Sequence, residues 1–292
     1  MEFKENLQRY QDRIEKSIDS FLPSATTRPA RIHEAMLYSM KAGGKRLRPV
    51  LALSACELFA DSENAMPAAI ALECLHTYSL IHDDLPSIDD GDLRRGKPTC
   101  HKQFDEATAV LAGDALLTYT FQLLARSYGK TPELATQLID LIADTAGSEK
   151  LIGGQMEDIL GENSQLDEEG LKFIHLNKTS ALIEASLEAG ARVGGATPEQ
   201  LDSIRTYGRC IGLCFQVVDD ILDATSDEAT LGKNIGSDEA LEKTTYISLY
   251  GLEKSRSIAS DLSEQAIEAC NQLPGDPSFL IGLVTYLSSR IN

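Results

Sequence analysis

The spacing of the apolar residues constrains the fold of this chain more than any other feature of its sequence. Near the start, apolar side chains recur every three or four residues, which places them on one face of a helix. These residues are Phe3, Leu7, Tyr10, Ile14, Ile18 and Phe21. The same period continues along most of the chain, whereas the strict alternation of a half-buried strand does not persist. We therefore predict an all-α protein.

The periodic segments are typical of one helical bundle without an internal boundary. Beyond the first stripe, helices are predicted at 29–41, 50–60, 65–83, 102–128, 132–146, 149–160, 167–192, 198–223, 238–251, 255–272 and 277–290. Several are long and rich in Ala, Leu and Ile, as the buried helices of a large bundle are. Hydrophobic residues make up 42% of the 292 residues, which is enough for a sizeable core. We predict a single domain, residues 1–292.

The overall charge excludes two classes of partner. A net charge of −18 argues against nucleic acid and against an anionic membrane surface as non-specific partners. The chain shows no run of about 18 apolar residues that could cross a membrane. It also shows no charged segment followed by an apolar run at its start, as a signal peptide would. We predict a cytoplasmic protein without membrane insertion.

Aspartates are concentrated in the stretch HDDLPSIDDGDLRRGKPT, residues 82–99, which follows an apolar helix. Two carboxylates about 4 Å apart repel each other by roughly 4 kcal/mol at an effective dielectric constant of about 20, so something must compensate. An EF-hand is excluded, because Pro86 and Ile88 stand where oxygen ligands are needed. A site that offers only oxygen ligands favours magnesium. A solvated acidic loop, which has the same composition, is the alternative interpretation of this stretch.

A second acidic cluster, in FQVVDDILD, strengthens the magnesium interpretation. Gln216, Asp219, Asp220 and Asp223 are spaced at i, i+3, i+4 and i+7, so they share one helix face. No Lys or Arg stands three or four residues from any of these aspartates, so salt bridges along the helix do not neutralise them. Two aspartate clusters that each end an apolar helix indicate metal binding.

Basic residues interrupt the acidic chain at a few places. KAGGKRLRP groups four of them around two glycines, without the spacing of a Walker A loop. The other places are Arg94-Arg95, Lys178, Lys233 and Lys243. Arginine and lysine bind phosphate oxygens, and an acidic protein with anionic substrates needs such local reversals of charge.

Taken together, these segments resemble the short-chain trans-prenyl diphosphate synthases. DDLPSIDD is similar to the first aspartate-rich motif of that family, DDxxxxD, and DDILD to the second, DDxxD. GGKRLRP, RRGKPT, LAGDALL, GGQMED, KT, FQVVDD and LGK occur in the expected order. The resemblance covers about residues 30–250, and the spacing inside the first motif resembles the bacterial-type farnesyl and geranylgeranyl diphosphate synthases. Gly91 departs from it, since close relatives commonly have an aspartate there.

The resemblance implies an isoprenoid synthase fold, a helical bundle around a deep central cavity, and a homodimer. It implies three magnesium ions, with Asp83, Asp89 and Asp219 as direct ligands and Asp84, Asp220 and Asp223 in support. The allylic diphosphate is assigned to Arg94, Lys178, Thr179, Gln216, Lys233 and Lys243, of which Lys178, Thr179 and Gln216 are expected to take part in catalysis. Isopentenyl diphosphate is assigned to Lys45, Arg48, His76 and Arg95.

The implied activity is condensation of isopentenyl diphosphate with dimethylallyl and geranyl diphosphates to give farnesyl diphosphate. Tyr78, five residues before Asp83, is expected to limit the chain length, whereas the small Ser79 could let a longer tail pass. Geranylgeranyl diphosphate synthase is the alternative product class. A non-catalytic subunit of a larger synthase is the alternative of another class, although such subunits typically lose one aspartate motif. A terpene cyclase would lack the second motif and the GGKRLRP turn.

Overall fold

A computed structural model describes residues 2–162, 166–225 and 244–291. The regular structure in this part of the chain is helical apart from one two-stranded hairpin, which confirms the prediction of an all-α fold. Lys233 and Lys243, assigned above to the allylic diphosphate, lie outside the described residues.

The contacts between residues divide the chain into two compact units. Unit 1 comprises Met1–Ile142 and Arg192–Gly195, and unit 2 comprises Ala143–Ala191 and Ala196–Asn292. Each unit has its own helical core and is described by itself. The prediction of a single domain stays a prediction.

Unit 1 contains seven helices, with the last four residues of α7 belonging to unit 2. They are α1 (Glu2–Phe21), α2 (Ala30–Met40), α3 (Leu47–Glu57), α4 (Met66–Asp83), α5 (Cys100–Gln103), α6 (Glu106–Tyr128) and α7 (Pro132–Ala146), with a short 3₁₀ helix at Ser62–Ala65. The apolar stripe of α1 buries Tyr10, Ile14 and Ile18, as its period predicts.

Helices α4 and α6 pack along each other at the centre of unit 1. They approach closely because Gly113 has no side chain, and a Cβ there would overlap the His82 imidazole. Helix α6 is long and apolar enough to cross a membrane by length and composition alone. The core helix of a folded protein meets the same test, so this property carries no conclusion about a membrane.

A short hairpin follows the aspartate-rich stretch, where the sequence indicated no strand. Strands β1 (Leu93–Arg94) and β2 (Lys97–Pro98) pair antiparallel, with Arg94 opposite Lys97. The two residues between them, Arg95 and Gly96, have φ values of 53° and 76°. Positive φ at both central residues matches a type I′ turn, whose twist suits a two-residue hairpin. Two-residue strands are too short for an alternating pattern to predict.

One buried arginine joins four helices of unit 1. Arg46 precedes α3 with a left-handed φ of 52°, and its guanidinium is fully buried. It donates to Glu15 Oε1 of α1 at 2.7 Å, to Glu73 Oε1 of α4 at 2.6 Å and to the carbonyl of Met40 of α2 at 2.6 Å. Arg46 therefore belongs to the core, although it stands in the basic segment KAGGKRLRP.

Unit 2 is built around α11, its longest helix. Its helices within the described residues are α8 (Leu151–Gly161), α9 (Glu168–Ile174), α10 (Ala181–Gly194), α11 (Pro198–Thr225), α12 (Tyr246–Tyr250), α13 (Leu252–Cys270) and α14 (Ser278–Ser288). The last three residues of α10 belong to unit 1. Helix α11 packs along α13, and Val217, Val218 and Ile221 form part of the core between them.

The predicted continuous helix at 167–192 is interrupted. A π-helix at His175–Ser180 separates α9 from α10. Two neighbouring helices approach this segment through glycines. A Cβ on Gly154 of α8 would lie 2.5 Å from the backbone nitrogen of Lys178, and one on Gly212 of α11 would overlap Ser180. Apolar periodicity continues through such an irregularity and therefore does not predict it.

The Arg46 network gives a test of what stabilises unit 1. We expect Glu73→Ala to lower the free energy of unfolding by about 3 kcal/mol, because a buried charge loses its partner. Glu73→Gln, which keeps an acceptor, should lose less. The control is Arg256→Ala, which breaks an exposed pair with Glu253 and should cost less than about 1 kcal/mol. Urea unfolding measures all three, and equal losses in Glu73→Ala and the control would contradict a central role for Arg46.

Candidate active site

The first aspartate motif forms a closed loop at the end of α4. The backbone N–H of Asp89 donates to the carbonyl of Asp83 at 2.9 Å, and that of Gly91 donates to Asp84 at 3.2 Å. These bonds bring the backbones of Asp83 and Asp89 together, although five residues separate them in the sequence. The partial negative charge at a helix C-terminus adds to that of the carboxylates, so this end of α4 attracts cations.

Asp84 has a cationic partner in the hairpin that follows the loop. Its side chain is buried and accepts hydrogen bonds from Arg94 Nε and Nη2 at 2.6–2.8 Å. Burial would lower the pKa of Arg94, yet the bonds to Asp84 raise it above its usual value. A Cβ on Gly91 would lie 3.1 Å from Asp84 Oδ1, so glycine leaves this pair room. The carboxylate of Asp84 is thus engaged by Arg94, and its supporting role in metal binding stays a prediction.

The later aspartates of the same stretch pair with Lys102. Its Nζ lies 2.9 Å from Asp92 and 3.4 Å from Asp90. Lys102 thus holds the end of this aspartate-rich stretch. Asp83 and Asp89, whose backbones the loop brings together, are the candidates for binding a divalent cation.

The residues assigned to isopentenyl diphosphate form a crowded positive patch in unit 1. Arg48 Nη1 lies 3.3 Å from His76 Nε2. The pKa of Arg48 is lowered to about 10, chiefly by burial and further by the charge of Arg95. Burial and the charges of Arg48 and Arg95 also lower the pKa of His76 well below its usual value. An anion bound here would relieve the repulsion between these side chains.

The glycine turn before α3 positions two more members of this patch. Gly43 and Gly44 have φ values of 90° and 117°, which glycine adopts without strain. Arg95 Nη1 donates to the carbonyl of Gly43, and a Cβ on Gly44 would overlap the Arg95 guanidinium. Lys45 follows in the same turn and is exposed. The structure therefore brings the turn and Arg95 together.

Unit 2 contains a cavity of about 180 Å³ that is lined by five of the predicted site residues. Its polar lining includes Lys178, Thr179, Gln216, Asp219, Asp220, Asp158 and His175. Lys178 and Thr179 come from the π-helix, whereas Gln216 and the aspartates come from one face of α11. Both cationic and anionic groups thus line one space, as binding of a metal and a diphosphate requires. Asp223, one turn further along α11, does not line this cavity.

The cavity residues are held by contacts that the sequence did not predict. Lys178 Nζ donates to Asp158 Oδ2 of α8 at 2.5 Å. Asp220 Oδ2 accepts from the backbone N–H of Tyr246 at 2.7 Å. Tyr246 begins α12, whose start is capped by Thr245. Asp220 therefore carries a structural bond, which fits the supporting role predicted for it.

Three residues of this site were missed from the sequence. Asp158 ends the segment GGQMED and His175 begins HLNKTS, so both stand within recognised segments but without an assigned role. Tyr246 holds Asp220 through its backbone N–H, and a backbone hydrogen bond cannot be predicted from the residue type. The proximity of Asp158 to Lys178 depends on the close approach at Gly154, which the sequence alone does not indicate.

The donors present fit magnesium. Asp83, Asp89 and Asp219 offer carboxylate oxygens, which magnesium prefers. Within the ranges that the structure describes, no group of three or more His, Cys, Asp or Glu side chains is arranged to enclose a metal. An ion that keeps several waters and shares substrate phosphates needs few protein ligands. The donor set thus suits magnesium bound together with a diphosphate.

Comparison with known proteins gives a consistent result. The sequence matches the polyprenyl synthetase family over residues 29–274. It is 48% identical over 290 residues to the heterodimeric geranylgeranyl pyrophosphate synthase large subunit 1, chloroplastic, of Arabidopsis thaliana, covering 96% of this chain and 77% of the relative. It is also 48% identical over 268 residues to the chloroplastic geranylgeranyl pyrophosphate synthase of Catharanthus roseus, covering 90% of this chain and 75% of the relative.

A solved structure resembles the chain along its length. It is a geranyltransferase from Helicobacter pylori complexed with magnesium and isoprenyl diphosphate. The TM-score is 0.82 at 36% sequence identity, and the match covers 97% of this chain and 96% of that one.

These relatives correct the prediction of a cytoplasmic protein. Both plant relatives are chloroplastic proteins, which contradicts a cytoplasmic assignment based on the sequence. The cytoplasmic prediction, which relied on the start of the chain and its apolar content, is therefore wrong.

The close approach at Gly154 can be tested directly. We expect Gly154→Ala to lower the free energy of unfolding by about 1–3 kcal/mol, because its Cβ would meet the backbone at Lys178, which cannot move aside cheaply. The matched control is Gly170→Ala in α9, where the nearest atoms lie at an ordinary 3.4 Å. Thermal or urea unfolding compares the two. Equal stability of both variants would show that α8 can shift away from the π-helix.

Proposed function

The chain belongs to the polyprenyl synthetase family, and from this premise we propose that it is a magnesium-dependent synthase of geranylgeranyl diphosphate. It would extend allylic diphosphates, beginning with dimethylallyl diphosphate, by successive addition of isopentenyl diphosphate. The observation that carries the proposal is the convergence of Lys178, Thr179, Gln216 and Asp219 on the unit 2 cavity. Two geranylgeranyl diphosphate synthases among the relatives support the product.

In unit 2, we assign the cavity to the diphosphate of the allylic substrate. Lys178 would neutralise its negative charge, and Thr179 and Gln216 would orient it by hydrogen bonds. Asp219 would bind magnesium, while Asp220, tied to Tyr246, and Asp223 support it. Magnesium, when bound, stabilises the negative charge that develops on the departing diphosphate.

In unit 1, Asp83 and Asp89 are assigned to magnesium as well, supported by Asp84. Nε and Nη2 of Arg94 engage Asp84, which leaves Nη1 as the nitrogen that can bind a diphosphate oxygen. Isopentenyl diphosphate is assigned to the positive patch of Lys45, Arg48, His76 and Arg95. The negative charge of this substrate would relieve the repulsion between the side chains of the patch.

The chemistry needs no base supplied by the protein. Loss of diphosphate from the allylic substrate leaves a carbocation, which the double bond of isopentenyl diphosphate attacks. The attack gives a new tertiary carbocation, which becomes the allylic product by losing a proton, and the diphosphate that departed can accept this proton. The contribution of the side chains is to hold both reactants in the reactive orientation and to exclude water from the cation.

The position of Ser79 supports the longer product. Ser79 lies four residues before Asp83, so its side chain leaves α4 only about 40° from the direction of the Asp83 side chain. A prenyl tail that runs along α4 from Asp83 would therefore pass Ser79. Tyr78, five residues back, points about 140° away. Its ring is buried and packs edge-on against His82 at 5.8 Å between ring centroids. We therefore assign Tyr78 to the core in this proposal and Ser79 to the path of the tail.

Farnesyl diphosphate remains the second candidate product because of Tyr78. In relatives of the bacterial type, a bulky aromatic residue at this position often limits the product to farnesyl diphosphate. In that case the ring, and not Ser79, would form the floor of the tail site.

Activity should require both aspartate motifs. We expect Asp83→Ala and Asp219→Ala each to lower turnover by about a hundredfold or more, since the leaving group would lose its stabilising charge. Excess chelator should abolish turnover, and added magnesium should restore it. Asp92→Ala, which removes a partner of Lys102, is the matched control and should stay near wild type. Turnover of radiolabelled isopentenyl diphosphate measures each case, and near-normal activity in either motif variant would exclude the assignment.

The product can be read by chromatography after removal of the diphosphate. We expect the wild type to release mainly the geranylgeranyl product and Ser79→Phe to shift it toward farnesyl, because the new ring obstructs the tail. Tyr78→Ala should leave the chain length unchanged. A wild type that makes mainly farnesyl diphosphate, with Tyr78→Ala extending it, would instead establish the second candidate. Each added methylene gains about 0.8 kcal/mol on burial, which favours growth wherever space is available.

A homodimer is the final part of the proposal. On α6, Val110 and Leu111 are 40% and 56% exposed, and Leu93 of β1 is 66% exposed. Exposed apolar side chains of this kind favour burial against a second chain. We expect light scattering to give twice the chain mass of 31.8 kDa, and Leu111→Lys to shift it toward one chain. A wild-type mass of one chain at micromolar concentration would contradict the homodimer. The Arabidopsis relative is a heterodimer subunit, so another assembly exists within the family.

A further inference from the structure

His175 stands out among the residues that line the unit 2 cavity. The residue is 8% exposed, and its Nε2 is buried without a hydrogen-bond partner among the described residues. A buried polar atom without a partner is unfavourable, and such atoms are usually satisfied by the protein, water or a ligand. Because His175 borders a cavity, a molecule that fills the cavity can supply this partner.

The ring of His175 is held in place on its other side. It packs against the ring of Tyr246, with 5.5 Å between the ring centroids, and Tyr246 packs in turn on Tyr250 at 5.9 Å. The backbone N–H of Tyr246 also holds Asp220 at 2.7 Å. The imidazole is therefore fixed by the same segment that fixes an aspartate of the second motif.

The imidazole is neutral near pH 7. Burial lowers the pKa of His175 to about 4, with Asp158 opposing this effect and Lys178 adding to it. A neutral imidazole carries one N–H and one unprotonated nitrogen. It can thus donate one hydrogen bond without placing another charge beside Lys178.

We propose that His175 is a further substrate-binding residue, whose Nε2–H donates a hydrogen bond to an oxygen of a diphosphate bound in the unit 2 cavity. Lys178 supplies the positive charge for the same anion and Thr179 a hydroxyl, whereas His175 supplies a fixed, neutral donor. The identity of the anion rests on the proposed function, whereas the assignment of His175 as a hydrogen-bond donor rests on its burial and its position at the cavity.

Binding of inorganic pyrophosphate in the presence of magnesium tests this proposal without any turnover. Isothermal titration calorimetry should give a Kd about tenfold higher for His175→Phe than for the wild type, because a hydrogen bond to a charged group is lost. Phe keeps a ring that can pack on Tyr246. His175→Gln, whose amide nitrogen can occupy the place of Nε2, should recover most of the affinity. His33→Phe, in unit 1, is the control and should bind like the wild type.

Two results would overturn the proposal. One is an unchanged Kd in His175→Phe, and the other is an equal loss in the Phe and Gln variants, which would indicate a packing role alone. Should a variant fail to fold, nitrogen-15 NMR of the wild-type imidazole decides the question. The Nε2–H resonance should shift when magnesium pyrophosphate is added, and an unchanged resonance under saturation would also overturn the proposal.

A prenyltransfer assay on the wild type separates this inference from the proposed function. Pyrophosphate binding that depends on His175, in a protein that forms no prenyl diphosphate, would sustain the inference and reject the function. Prenyl transfer with a normal Kd in His175→Phe would do the reverse.

Discussion

The buried guanidinium of Arg46 is the interaction on which unit 1 depends. A charge inside a helical core is tolerated only when its hydrogen bonds and its counter-charges are both supplied. Here Glu15, Glu73 and the carbonyl of Met40 supply them from three different helices. The same arrangement fixes the turn that precedes α3. Lys45 and Arg48, the neighbours of Arg46, are therefore presented from a rigid support while Arg46 itself is withdrawn from binding.

The chain leaves regular helix geometry where it positions groups for binding. Arg46 and Arg95 adopt left-handed backbone conformations, and Gly96 completes the hairpin turn. In unit 2, the π-helix carries Lys178 and Thr179. Backbone irregularities of this kind are unfavourable in isolation and persist where the surrounding packing requires them. The regular helices stabilise the fold, whereas these few irregular segments orient particular side chains.

The sequence predicted the helices well because apolar periodicity records burial directly. Predicted and observed limits agree at 132–146, and differ by one residue at the start of the helix that ends at Asp83. The sequence could not show which cation each aspartate of the first motif pairs with, because the Asp84–Arg94 pair and the Lys102 pairs form only after the loop closes. It also could not predict the π-helix, whose presence depends on close packing from other helices. The role proposed for His175 was not predicted, because histidine type alone does not distinguish a core residue from a ligand.

The π-helix at His175–Ser180 has a consequence for how the chain tolerates changes in length. A π-helical turn holds about one more residue than an α-helical turn, so this segment is equivalent to a single-residue insertion into a continuous helix. Deleting one residue here would therefore leave a continuous α-helix in which α9 keeps its orientation relative to α10. The wider turn that carries Lys178 and Thr179 would be lost instead. A gap of one residue in this short segment should thus spare the packing of α9 and displace the groups that line the cavity.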